Sequence, residues 1–460
     1  MSAGLTGVAA MNGETSTEVI NGYVSGDLGW SLPSADDSIV VVAGFEHRIE
    51  SFDRDSDTIF EEGALLGLGG PRLSFGGQYT AMEFFTEANV PLVSGVAGAQ
   101  NLTLDLAYRY SDYSTSGGTD TYRIGLDWQP VDMVRVRAGY NRAVRAPNVA
   151  ELFIDQSLGL WSGDDPCSGA APAYTAAQCA NMGVTAAQYG SIAKSPADQY
   201  NAIFGGNPLL TPEIADTYTA GIVIDPIENL TVSFDYWSIE LNDTISNIGA
   251  TTILEQCGLY NQLCDAVNRN AIGSLWLGTE GYVRDTTNNL GKQLWEGVDV
   301  AASWGIEAAG GSWTANLIGT FMMTKETTPL PADATSTYDC VGFISTRCFP
   351  TPDWRHTASV DYDSNEWWAV TARWRYFGGV DYDGTSDTIA QDEMSSAQSY
   401  FDLNGVFRFF ENSDVTIGVN NVMDEAPPMV GGSLTTNANT IAGFYDTLGR
   451  FMFAKATVRF

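Results

Sequence analysis

Apolar and polar residues alternate with a period of two along most of the chain. Leu102, Leu104, Leu106, Tyr108 and Tyr110 interleave with Thr103, Asp105, Ala107 and Arg109. Tyr122, Ile124, Leu126 and Trp128 interleave with Arg123, Gly125 and Asp127, and Val134, Val136, Ala138 and Tyr140 with Arg135, Arg137 and Gly139. The beat returns at Val298 to Trp304, Trp368 to Tyr376 and Val415 to Val419. It closes the chain, where Met452, Ala454, Ala456, Val458 and Phe460 alternate with Lys455, Thr457 and Arg459. Successive side chains of a strand point to opposite faces, so each of these segments reads as a strand with one apolar and one polar face. The pattern predicts about fifteen strands, over 17–31, 38–50, 78–90, 100–112, 119–129, 132–145, 213–226, 229–247, 280–306, 311–325, 355–363, 366–379, 397–411, 413–422 and 449–460. The segment 280–306 reads equally as one long strand or a hairpin. Residues 1–16 read as a loop or partial strand, and 251–270 alone has helical spacing.

The connectors alternate in length. QPVD (129–132), PIEN (226–229), DSNE (363–366) and ENS (411–413) are tight, whereas 51–77, 146–212, 248–279, 326–354, 380–396 and 423–448 are long. Membrane barrels have this asymmetry, with short periplasmic turns and long external loops. Tyr and Trp near strand ends match interfacial aromatic girdles. The expected fold is therefore all-β, a transmembrane antiparallel β-barrel spanning 17–460. Its apolar faces meet lipid. Its polar faces, with Arg135, Arg137, Arg145, Arg373 and Arg375, line a lumen. A soluble sandwich, whose apolar faces would pack on a second sheet, is the rival architecture.

Composition narrows the function. No run of 18 apolar residues occurs, which argues against membrane-spanning helices. Lys plus Arg number 22 against 56 Asp plus Glu, a net charge of −34. Nucleic-acid binding needs the opposite sign, and on net charge alone a cationic or neutral ligand is expected. The start, MSAGLTGVAAMNGETS, lacks the basic and apolar regions of a signal peptide. The six cysteines form three close pairs, Cys167 with Cys179, Cys257 with Cys264 and Cys340 with Cys348, all in long connectors. Zinc sites want tighter spacing and more His, and His47 and His356 are the only two. Three local disulfides in an oxidising compartment are expected instead.

Candidate chemistry concentrates in the longest loop. Trp161 and Tyr174 are placed to stack on a sugar or aromatic ligand beside Asp164 and Asp165, or else the loop packs on itself around its Cys pair. Arg145 either meets a ligand or joins a lumenal ion-pair network. Asp381, Asp383 and Asp387 form a candidate oxygen-ligand loop for Ca²⁺, as do Asp53, Asp55 and Asp57, but neither completes an EF-hand. There is no HExxH, GxSxG or phosphate loop. No enzyme activity and no cofactor are expected.

Several stretches resemble TonB-dependent outer-membrane receptors: DMVRVRAGYNRAVRAPNVAELF (132–153), GGNPLLTPEIADTYTAGIVIDP (205–226), NNVMDEAPP (420–428) and YDTLGRFMFAKATVRF (445–460). AMEFFTEANVPLV (81–93) and AYRYSDYSTSGGTDTYRIGLDWQP (107–130) are also similar to proteobacterial members. The resemblance implies a barrel of about 22 strands occluded by an N-terminal plug, in a Gram-negative outer membrane. It implies uptake of a specific nutrient (siderophore, vitamin or carbohydrate) energised by the TonB complex through that plug. It also implies that Phe460 is the aromatic end read by barrel-assembly machinery. The chain departs from the pattern in having no plug, no TonB box and some seven fewer strands. A truncated sequence, or a second chain that completes the barrel, is expected. The rival functions are a passive porin-like channel and a soluble all-β binding protein.

Overall fold

The computed structural model describes residues 8–459 apart from 66, 331–335, 346, 385–393, 411 and 432–438. Fifteen strands form one antiparallel sheet in which each pairs with its neighbours in chain order. They are β1 (Met11–Asp27), β2 (Val40–Ser56), β3 (Phe75–Val96), β4 (Ala99–Tyr113) and β5 (Gly117–Val131). There follow β6 (Val134–Arg145), β7 (Glu213–Ile227), β8 (Leu230–Ser246), β9 (Asn288–Ala308) and β10 (Gly311–Thr328). The last five are β11 (Trp354–Asp363), β12 (Trp368–Phe377), β13 (Gln398–Phe410), β14 (Ser413–Asn420) and β15 (Phe451–Val458). A two-residue strand, Tyr338–Asp339, is appended to β10. Within the described residues β1 and β15 do not pair with each other, so both are edges of the sheet.

The period of two explains the pairing. Leu104 lies opposite Leu126, Ile124 opposite Tyr140 and Ile417 opposite Ala454, all on one face. Asp105, Arg137 and Thr416 fall on the other. A one-residue slip would exchange the faces along a whole strand, so the alternation also fixes the register. The apolar face is bare: Ile124 is 49 % exposed, Ile417 53 % and Met452 69 %. Water does not tolerate an apolar surface this continuous, which marks it as a contact surface for another apolar phase. Gly319 lies under the Trp354 ring and Gly418 under Phe453, where a Cβ would approach ring atoms to 2.5 and 2.3 Å.

At one end of the sheet the connectors are short, as at 97–98, 132–133, 228–229 and 309–310, although 28–39 is longer. At the other end they are long, except for 114–116. Two of the long ones fold together. Residues 146–212 and 247–287 share a four-stranded sheet in the order Val267–Asn268, Tyr282–Arg284, Gln199–Phe204, Ser157–Ser162, its second pairing parallel. A helix, Ala250–Tyr260, packs on it and ends at Asn261 in the left-handed region. The shared core holds Trp161, Met182, Tyr200, Ile253, Leu254 and Leu275. The expected helix over 251–270 is thus shorter, because Asn261 and Leu263 both adopt positive φ. The segment 280–306 is neither one strand nor a hairpin. Its first residues belong to the loop unit, and β9 starts at Asn288 after a break at the buried Asp285. β1 begins at Met11, inside the segment expected to be a loop or partial strand.

All three expected disulfides are present: Cys167–Cys179, Cys257–Cys264 and Cys340–Cys348. Each closes a short loop, and the chain-entropy relation gives about 2–3 kcal/mol for closures of this length. Non-reducing peptide mapping should return these three local bridges and no free thiol. Replacing Cys167 and Cys179 together by serine should increase protease cleavage within 157–204 without altering the strands of the large sheet.

Candidate functional site

The long-loop end carries the side chains with chemistry to explain. Asp165 and Arg269 form a bidentate ion pair, Nη1 to Oδ2 2.7 Å and Nη2 to Oδ1 2.7 Å, with both side chains almost wholly buried. Asp165 also accepts from the Cys167 N–H, and Arg269 donates to the Met182 and Gly273 carbonyls. Four of the five guanidinium N–H groups and both carboxylate oxygens therefore find partners within the protein. Sequence reading missed Arg269 because its partner is 104 residues away.

The structure separates the four residues expected to meet ligand. Trp161 is 9 % exposed and stacks on Tyr200 with ring centroids 5.3 Å apart. Its indole fills the core, so it offers no face to a ligand. Asp165 is committed to Arg269. Tyr174 packs against Gly258, its carbonyl accepts from the Tyr189 hydroxyl, and burial pushes its phenol upward from the ordinary value. Only Asp164 stays on the surface, 2.8 Å from Lys194. The long-loop alternative, packing around the disulfide, describes three of these four positions.

Asp285 is the second buried carboxylate of the loop unit. Its Oδ1 accepts from the Gly249 N–H at 3.0 Å, at the start of the Ala250–Tyr260 helix. Burial outweighs the backbone hydrogen bonds and raises its pKa. A raised acid pKa means that folding favours the protonated form. Stability from this group is complete below the unfolded value of about 3.9 and is lost as pH rises through the folded value. Asp285→Asn keeps the acceptor and removes the buried charge. It should flatten the decline in loop-unit stability that sets in as pH rises above the ordinary carboxylate range. Asp285→Ala strands the Gly249 N–H and should cost about 1–2 kcal/mol. Urea midpoints of protease cleavage within 250–285 measure both.

On the polar face of the sheet, arginines pair with carboxylates across strands. Arg135 meets Asp127, Arg137 meets Asp235, and Arg145 bridges Glu213 and Glu151. Arg375 holds Asp402 and Asp446. Arg373 lies opposite Asp402 in register but has no ion pair among the described residues. Arg145 also closes the turn after β6: Asn148 caps the Val149–Phe153 helix, and Glu151 returns a bond to the Asn148 N–H.

Three of the Ca²⁺ candidates, Asp57, Asp381 and Asp383, have other partners. Asp57 accepts from Ala10 and Phe60 backbone N–H groups, which hold its carboxyl below the usual range. Asp53 and Asp55 lie within β2. Asp381 accepts from Ser395, Asp383 faces Arg347 at 4.0 Å, and Asp387 lies outside the described residues. Phe460 also lies outside them. No cluster of three or more His, Cys, Asp or Glu suited to a metal ion occurs among the described residues.

Comparison with known proteins places this architecture. The family model for the TonB dependent receptor-like beta-barrel matches residues 5–422. No curated protein matches the sequence. Among solved structures, the ferric enterobactin receptor PfeA of Pseudomonas aeruginosa superposes with a TM-score of 0.64 at 17 % identity, covering 97 % of this chain and 54 % of its own. The siderophore receptor PirA of Acinetobacter baumannii gives 0.60 at 16 % identity, covering 97 % and 55 %. The hemophore receptor HasR of Serratia marcescens gives 0.56 at 12 % identity, covering 98 % and 60 %. The chain thus spans little more than half the length of these structures. The chain belongs to the TonB-dependent receptor family, as part of the β-barrel.

Proposed function

We propose that this chain forms most of the wall of an outer-membrane receptor that takes up one specific nutrient with energy from TonB. The observation that carries this is the two-loop unit: 146–212 and 247–287 fold into one disulfide-braced, ion-paired body at the long-loop end of a membrane barrel wall. A passive pore has no use for a preorganised surface of that size, whereas a receptor needs one to capture a scarce ligand. In the proposal the loops capture the nutrient outside the cell, and a plug then rearranges under TonB to admit it.

The free edges at β1 and β15 belong to the same proposal. In hydrocarbon every backbone donor and acceptor needs a partner, so an open sheet does not persist there. Further strands pair with both edges to close the barrel, from the same polypeptide or a second one, and the plug that TonB engages comes with them. The neighbours named above are receptors for a ferric chelate, a siderophore and a hemophore. Iron carriers are therefore the first nutrients to test, ahead of vitamins and oligosaccharides.

The test is accumulation of radiolabelled nutrients by cells with and without the gene, each with and without a functional TonB. The proposal expects uptake that needs both. Uptake that needs the gene but not TonB would establish a passive porin-like channel instead.

A further inference from the structure

The net charge of −34 leads to the expectation of a cationic or neutral ligand. One cavity at the long-loop end has the opposite local character. It measures about 290 Å³ and lies where the outer ends of β8, β9 and β10 meet the hairpin closed by Cys340–Cys348. Lys292, Lys325 and Arg347 line it together with Trp295, Tyr338 and Phe349, and no Asp or Glu does so among the described residues.

Among the described residues the cations are only partly satisfied. Lys325 stands directly opposite Trp295 across β9 and β10, its Nζ 5.8 Å from the indole centroid. The one hydrogen bond of its ammonium among the described residues goes to the Thr351 hydroxyl, at 2.9 Å. A half-buried ammonium whose partners are a hydroxyl and a ring face keeps an unmet demand for negative charge. Arg347 lies 4.8 Å over the Tyr338 ring, and its closest carboxylate among the described residues, Asp383, is 4.0 Å away and not in the lining. Lys292 has only a loose contact to Glu240, at 3.5 Å. The Trp295 and Tyr338 rings face the charged heads of Lys325 and Arg347, and among the described residues neither head has a carboxylate partner within the cavity. This combination recognises an anionic group attached to a flat apolar body.

We propose that this cavity binds a small organic anion bearing an aromatic or similarly flat ring, with Lys325 and Arg347 pairing to the anionic group and Trp295, Tyr338 and Phe349 flanking the ring. The inference rests on the receptor reading above and gives the class of ligand its loops would capture.

The test uses fluorine NMR on the full chain in zwitterionic detergent, with 4-fluorobenzoate, 4-fluorobenzyl alcohol and 4-fluorobenzylamine as anionic, neutral and cationic probes. The expected result is saturable broadening with 4-fluorobenzoate only. Lys325→Gln and Arg347→Gln should each weaken it tenfold or more, and Lys194→Gln, which alters a surface cation away from the cavity, should leave it unchanged. If Lys325→Gln fails to fold, the exposed Arg347→Glu serves as the deciding variant. Equal or stronger binding of the amine, or benzoate binding indifferent to Lys325 and Arg347, would overturn the proposal. Because this readout involves no transport, a chain that binds benzoate but shows no TonB-dependent uptake would refute the import reading and leave the site intact.

Discussion

Arg269→Leu should unfold the loop unit while the sheet stays assembled. The substitution leaves the Asp165 carboxylate buried with its bidentate partner gone. Breaking one side of a buried pair costs roughly 3–5 kcal/mol, comparable with the whole stability of a small domain. The two disulfides of the unit do not compensate, because each closes a loop within one of the two segments and neither links 146–212 to 247–287. Hydrogen exchange should rise across both 157–204 and 250–284, since they share one core. Replacing both partners by apolar residues, as Asp165→Leu with Arg269→Met, removes the stranded charge and should recover much of the protection. If the single variant raises exchange in one segment only, the two loops do not fold as one unit.

The second large effect concerns the faces of the sheet. Ile124→Arg puts a guanidinium at the middle of β5 on the apolar face. In a barrel wall at the bilayer midplane that costs about 2–4 kcal/mol. Thr103→Lys places a cation on the opposite face, in a cavity lined by Asp27, Asp36, Asp37, Asp105 and Asp127 with Arg135 as its one cation. It should be neutral or stabilising. Yields of folded protein in the membrane fraction, and unfolding midpoints in detergent, compare the two. Equal tolerance of both substitutions would mean that the apolar face does not meet lipid.

The sheet was legible in the sequence because a barrel strand is a local object. Alternation at Leu102 to Tyr110 names the strand and its two faces without knowledge of any other segment. The loop unit was not legible, because its contacts are distant. Arg269 finds Asp165 across 104 residues, and Val283 joins Ala202 in a parallel pairing that no hairpin pattern announces. Seen within its own segment, Trp161 is a loop aromatic that reads as a ligand contact. Only the second segment, with Ile253 and Leu254, turns it into a core residue. The net charge is equally blind to place. Most acidic residues lie on other surfaces, so a total of −34 says nothing about the few side chains around one cavity.

The most direct test of the barrel-wall assignment is a cysteine scan through β4 and β5 in whole cells, which is feasible because all six native cysteines are held in disulfides. Single cysteines at Leu104, Leu106, Ile124 and Leu126 should react with a lipid-confined maleimide and resist a charged one. Cysteines at Thr103, Asp105, Arg123 and Gly125 should show the reverse. Uniform labelling of all eight by the charged reagent, on protein released without detergent, would contradict a membrane barrel and return the chain to a soluble β fold.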